Sequence, residues 1–211
     1  MHSIYKAMDN VEEYILIESE KLFMKYGMRS VTMDNIAKHL GMSKKTIYAH
    51  FKDKNDLVNK LFTQMLHKDK CGIEECNNKA HNAIEEVFMI MDYLKECLSG
   101  INPIVFYDLE KYHSDAHKIM MDFHQTHVYN IVKAGLERGI NENIFRENIN
   151  IEVLAAARVG QIKWTFESEL IRSGKYSMYD VIQELTLHFL FGICNLSGQV
   201  LINNYILKKN N

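Results

Sequence analysis

Proline occurs once in this 211-residue chain, at position 103, and the ten glycines are scattered singly, so little interrupts the backbone. Between these breaks Leu, Ile, Met, Ala, Lys and Glu recur three and four residues apart, the spacing of one face of an α-helix. Long stretches of good helix formers build helices rather than many short strands. The expected fold class is therefore all-α with no sheet, and an apolar fraction of 47% is enough for a core.

A first helix reads from Val11 to Tyr26, with Val11, Ile15, Ser19, Leu22, Phe23 and Tyr26 on one stripe and Gly27 as its stop. Three further starts follow closely, at Thr32, Ser43 and Asp53, each able to accept a hydrogen bond from a free amide of the first turn. Val31 can pack on Ile36 and Met42 on Ile47 as hydrophobic staples, and Asp53 with Asp56 makes a capping-box-like pair. This gives a helix over Met33–Leu40, a tight turn at Gly41, Met42 and Ser43, a third helix over 44–51 and a long fourth over 54–76 that Gly72 could shorten. Two short helices joined by a three-residue turn form a helix-turn-helix. Helical patterns recur at about 80–98, 103–112, 115–138, 151–172 and 178–194, with stops at Gly100, Gly139 and Gly174 and a frayed tail over 208–211.

Charge is distributed unevenly. Residues 28–60 carry seven Lys or Arg against three acids, a net +4 within a chain whose formal charge is −2. A cationic module thus sits on an acidic body, which suits selective rather than indiscriminate binding of a polyanion. Cys71, Cys76, Cys97 and Cys194 show no C-x-x-C spacing, and the amino terminus has no basic-then-apolar leader, so the expected compartment is the cytoplasm. No apolar run reaches the roughly 20 residues of a membrane span, and no membrane partner is expected. The sequence holds no G-x-S-x-G, P-loop, strand-borne G-x-G-x-x-G or H-E-x-x-H, so no catalytic residue and no cofactor is expected.

The segment 32–51, TMDNIAKHLGMSKKTIYAHF, followed by KDKNDL, resembles the TetR family of bacterial transcriptional regulators. The matching features are Leu22-Phe23, Gly27, Thr32, Ile36-Ala37, Gly41, Ser43-Lys44, Thr46, Tyr48, His50-Phe51 and Lys52-Asp53-Lys54, spread over about a third of the chain. The resemblance implies a three-helix DNA-binding head, here 9–69 with its motif at 32–51, and a larger helical body over 70–207 that binds an effector and dimerises. The residues agree. Ile36, Ala37, Leu40, Ile47, Phe51, Leu57 and Leu61 can form a small core that leaves Lys44, Lys45, Thr46, Tyr48, Ala49 and Lys52 outward. Lys45, Thr46 and Ala49 would reach base edges, while the resemblance makes Thr32, Lys44, Tyr48, His50 and Lys54 phosphate clamps, with Ser43 capping the reading helix. Lys45 stands where many family members have glycine, so operator sequence does not carry over.

The segment 189–205 resembles a tail that some TetR-type proteins place at or after their last dimerisation helix. Helices near 151–172 and 178–194 are the expected homodimer elements, since Leu154, Ala155, Val159, Ile162 and Phe166, with Val181, Leu185, Phe189, Leu190 and Ile193, exceed one intramolecular face. A dimer would read a palindromic double-stranded DNA operator. Phe88, Met91, Phe106, Tyr107, Met120, Phe123, His124, His127 and Trp164 are candidates to line a pocket for a small-molecule effector. His113, His117, His124 and His127 could gather on one helix face, but no metal is expected because no cysteine or carboxylate set accompanies them. The functional expectation is a sequence-specific, ligand-responsive repressor; an activator of the same fold and a helical protein-docking module are the alternatives.

Overall fold

The computed structural model describes residues 10–209. Residue 9, where the expected head begins, and residues 210 and 211 lie outside the described residues. The fold is all-α, and among the described residues the one extended pairing is an isolated antiparallel bridge between Phe145 and Cys194. The helices run α1 (Val11–Tyr26), α2 (Met33–Leu40), α3 (Lys44–His50), α4 (Lys54–Lys79), α5 (Ala83–Leu98), α6 (Ile104–Tyr112) and α7 (Ser114–Phe123). A π-helical turn, His124–Val128, then precedes α8 (Tyr129–Asn141), α9 (Ile151–Glu167), α10 (Glu169–Arg172), α11 (Met178–Ile193) and α12 (Leu196–Lys209).

The helices fall into two compact units whose boundaries lie inside α4, at His67/Lys68, and inside α7, at Met121/Asp122. The first unit joins the amino-terminal helices to Gly100–Met121. The sequence division had put 100–121 in the body. Here Val105, Leu109, Ala116 and Met120 share one core with Phe23, Met28, Ile36, Ile47, Phe51 and Leu57. Polar contacts fasten the same segment: Asn102 N–H donates to the Met24 carbonyl (2.8 Å), Arg29 N–H to Asp108 Oδ2 (2.8 Å), and His113 Nδ1 lies 2.6 Å from Asn55 Oδ1.

The second unit comprises Lys68–Ser99 and the residues from Asp122 onward. Ile84, Phe88, Leu136, Phe145, Ala155, Leu190, Ile193 and Ile202 form its core, drawn from α5, α8, α9, α11, α12 and the loop after α8. Arg138 ties it together, its guanidinium donating to Glu142 (2.7 Å), Glu86 (3.1 Å) and the Ala80 carbonyl (2.8 Å). Glu86 is only 3% exposed, and burial raises its pKa against the opposing pull of Arg138.

Several ends differ from expectation for local reasons. Asn82, whose carboxamide accepts from Ile84 and Glu85, starts α5, and α4 continues through Gly72 as far as Lys79. Gly139 does not end its helix; a Cβ there would lie 2.1 Å from the Phe145 ring, so the residue is small to admit that ring. Ser168 breaks the stretch 151–172 by capping α10, and the carboxyl-terminal segment is helical to Lys209 rather than frayed.

Candidate nucleic-acid interface

Three local devices set α2, α3 and α4. Thr32 and Asn35 form a reciprocal capping box, with Thr32 Oγ1 accepting from Asn35 N–H at 3.1 Å and Asn35 Oδ1 accepting from Thr32 N–H at 2.9 Å. Ser43 Oγ accepts from Thr46 N–H at 3.1 Å. Asp53 Oδ1 accepts from Asp56 N–H and Asp56 Oδ2 from Lys52 N–H, both at 2.9 Å, so Asp53 caps α4 as expected while the return bond falls one residue ahead of the one a capping box makes. Between α2 and α3, Gly41 takes the left-handed conformation (φ 63°, ψ 27°) and sends its N–H back to Ala37 and Lys38.

This scaffold fixes the rotation of α3. Ile47 and Phe51 are 1% and 0% exposed inside the core, while Lys44, Lys45, Tyr48, Ala49 and Lys52 all face solvent. Thr46 and His50 are half-buried at the margins, and Thr32 is exposed beside them. Lys44 Nζ lies 2.5 Å from Asp34 Oδ2, with both side chains about 60% exposed, so that ion pair is worth under about 1 kcal/mol and yields readily to a stronger anion. Tyr48 keeps half its ring in water.

Lys54 is different. Its ammonium donates to the Met28 carbonyl, lies 5.6 Å from the Phe23 ring centroid, and has its pKa lowered by burial against the countering charge of Asp108. The geometry makes it a support of the α1–α2 connection; the resemblance had implied a phosphate clamp. Lys60, which sequence reasoning passed over, donates to Glu12 (3.1 Å) and to the His50 carbonyl (3.2 Å) and so steadies the end of α3.

Residues 15–61 match the family model "Bacterial regulatory proteins, tetR family". The amino-terminal part of the chain is thus similar to the tetR family of bacterial regulators. An uncharacterised HTH-type transcriptional regulator of Bacillus subtilis (strain 168), YvaF, is 27% identical over 177 residues, which is 83% of this chain and 91% of that one. In fold, the chain is similar to a TetR-family regulator from Agrobacterium tumefaciens, with a TM-score of 0.70 at 19% identity over 87% of this chain and 97% of the other. It is similar again to a regulator from Saccharomonospora viridis solved with choline, with a TM-score of 0.70 at 17% identity over 89% and 100% of the two chains. Residues 15–61 thus form a tetR-type helix-turn-helix of the kind carried by these transcriptional regulators, and none of the helices among the described residues is long and apolar enough to cross a membrane.

The predicted pocket residues are divided between the two units. Phe106, Tyr107 and Met120 belong to the first unit, where Met120 is core. Phe88 and Met91 are buried in the second unit, Phe88 stacking on Tyr205 at 5.1 Å between ring centroids. Trp164 is 47% exposed on the outer face of α9. Phe123, His124 and His127 do group, around the π-helical turn, with Phe166 stacked on His124 at 5.6 Å. His124 Nδ1 and His127 Nε2 are buried without a hydrogen-bond partner among the described residues, and burial pushes His124 down to a pKa of about 4. A cleft of about 290 Å³ in the same unit is lined by Ile73, Glu74, Asn77, Asn78 and Ile131, none of them predicted.

The four histidines are likewise shared between the units. His113 and His117 lie in the first unit and His124 and His127 in the second, and the described residues hold no group of three or more metal-ligating side chains. Cys76 is buried with its pKa raised by desolvation, which makes it a poor redox sensor.

Proposed function

We propose that this chain is a tetR-family, effector-responsive repressor that grips a palindromic operator as a homodimer, in the cytoplasm where the chromosome lies. The observation that carries the reading is the rotation of α3, with Ile47 and Phe51 inward and Lys44, Lys45, Tyr48, Ala49 and Lys52 outward. Such a face offers phosphate-seeking cations around side chains short enough to approach base edges. Its lack of large aliphatic anchors disfavours a protein-docking role.

The dimer is supported by an outward stripe on α9, where Val153 is 60% exposed, Trp164 47%, and Ala156, Ala157 and Gly160 lie between them. Phe191 on α11 and Leu196, Val200 and Leu207 on α12 extend the exposed apolar surface. These are not the residues the sequence nominated. Ala155, Val159, Leu190 and Ile193 are buried within the protomer, and Leu154, Ile162, Phe166, Val181, Leu185 and Phe189 are half-buried. The choline complex of the Saccharomonospora regulator supports a small-molecule effector here.

Selection of duplexes from a random pool, followed by affinity measurement at two salt concentrations, tests the reading. An enriched palindrome and a steep fall of affinity with salt are expected. Equal binding to every sequence, or binding indifferent to salt, would remove it.

A further inference from the structure

The second unit contains two arginines in opposite settings, Arg138 with its side chain 28% exposed and Arg158 buried. Arg138 has two carboxylates, Glu86 and Glu142. Arg158, on α9 and only 9% exposed, forms no ion pair among the described residues. Its guanidinium donates to two neutral oxygens, Gln161 Oε1 at 3.2 Å and the hydroxyl of Thr186 on α11. Thr186 is 2% exposed and spends its own proton on the Ile182 carbonyl at 2.6 Å, so it accepts from Arg158 with a lone pair. The Phe189 ring lies 5.5 Å from the guanidinium carbon.

Desolvation acts on this cation without a compensating charge, and the pKa falls to about 10. Buried charges persist when they are paired, and an unpaired one is disfavoured against an apolar side chain of similar size. Anchoring α9 to α11 does not require a formal charge, because a neutral amide could hydrogen bond to both oxygens. The side chain that α9 carries there is instead a planar fork matched to a carboxylate, with two of its five N–H groups engaged inside the protein.

We infer that Arg158 is the charge anchor of an effector site for a small monocarboxylate with an apolar body. The Phe189 ring supplies an apolar wall beside the guanidinium, and half-buried Ile162 lies one turn along the same face of α9. A doubly charged phosphate would lose more hydration there than one guanidinium returns. A quaternary ammonium such as the choline of the Saccharomonospora structure would meet a like charge. The inference rests on the effector-responsive reading proposed above, and its test separates the two.

The full chain is melted with straight-chain carboxylates from butyrate to decanoate and with benzoate, each beside its uncharged primary amide, and operator affinity is measured in parallel. An acid, but not its amide, is expected to raise the melting temperature of the wild type. That shift disappears in Arg158→Met, which melts at or above the wild type without ligand because an uncompensated cation has gone. Arg158→Lys keeps the charge but not the fork and is expected to weaken the acid by about tenfold or more. Arg158→Met melting well below the wild type, with no acid shifting either protein, would show a purely structural arginine and overturn the site. Acid binding through Arg158 with unchanged operator affinity would uphold the site and remove the effector-responsive reading. Operator release by a neutral or cationic ligand acting equally on Arg158→Met would do the reverse.

Discussion

Lys44 in the free protein rests against Asp34, a pair so exposed that it costs little to break. Lys44→Ala is expected to make the slope of log affinity against log salt shallower by about 2 in a dimer, one lost phosphate contact in each head, with unchanged helicity by circular dichroism. Lys54 behaves otherwise, because its ammonium already serves the Met28 carbonyl and Asp108. Lys54→Met should leave the salt slope alone while lowering stability by about 2 kcal/mol, since Asp108, only 4% exposed, loses its cation. A slope changed as much as by Lys44→Ala would return Lys54 to the interface. His124 sets a pH dependence. Its folded pKa of about 4 lies below the unfolded value of about 6.5, so the folded state binds fewer protons between these limits. Its contribution is complete above pH 6.5 and is lost as pH falls toward 4, on the order of 3 kcal/mol. His124→Phe keeps a ring against Phe166 and should flatten urea-midpoint profiles between pH 7 and 4.5; an unchanged slope would deny His124 the role. His113, also lowered by burial and by Lys54, keeps its own share of the decline.

Elements whose causes lie within four residues were readable from sequence. The starts of α2, α3 and α4 follow from Thr32, Ser43 and Asp53, and the turn from Gly41, because each cap or stop contacts its own first or last turn. Gly139 was read as a stop because its true reason, the ring of Phe145, depends on how the chain folds back after α8. Gly139→Ala tests this. Helix propensity alone predicts a gain of roughly 1 kcal/mol, whereas a methyl 2.1 Å from the ring predicts a net loss of about 2 kcal/mol or more. Adding Phe145→Ala should make the glycine substitution nearly neutral in a double-mutant cycle. The π-helical turn was also hidden. An extra residue in one turn leaves no mark on composition, yet it rotates everything from Tyr129 onward relative to Phe123, so aromatic positions counted on one continuous helix misassign which side turns inward.

At the scale of the whole molecule, the fold class and the DNA-reading head were legible because the motif is long and local, but the body was not. Apolar or small side chains surround α9, so the sequence names the helix without saying which side turns inward. Trp164→Glu places a charge on the outward stripe and is expected to shift the protein from dimer to monomer in light scattering, weakening operator binding without altering the fold. A dimer that survives this change would move the interface elsewhere. The first unit includes Gly100–Met121, with Asp108 receiving the Arg29 amide and His113 beside Asn55. A genetic screen for derepressed alleles should therefore yield two clusters, one in the reading motif and one around Asn102, Asp108 and His113, distant in sequence yet part of the same folding unit.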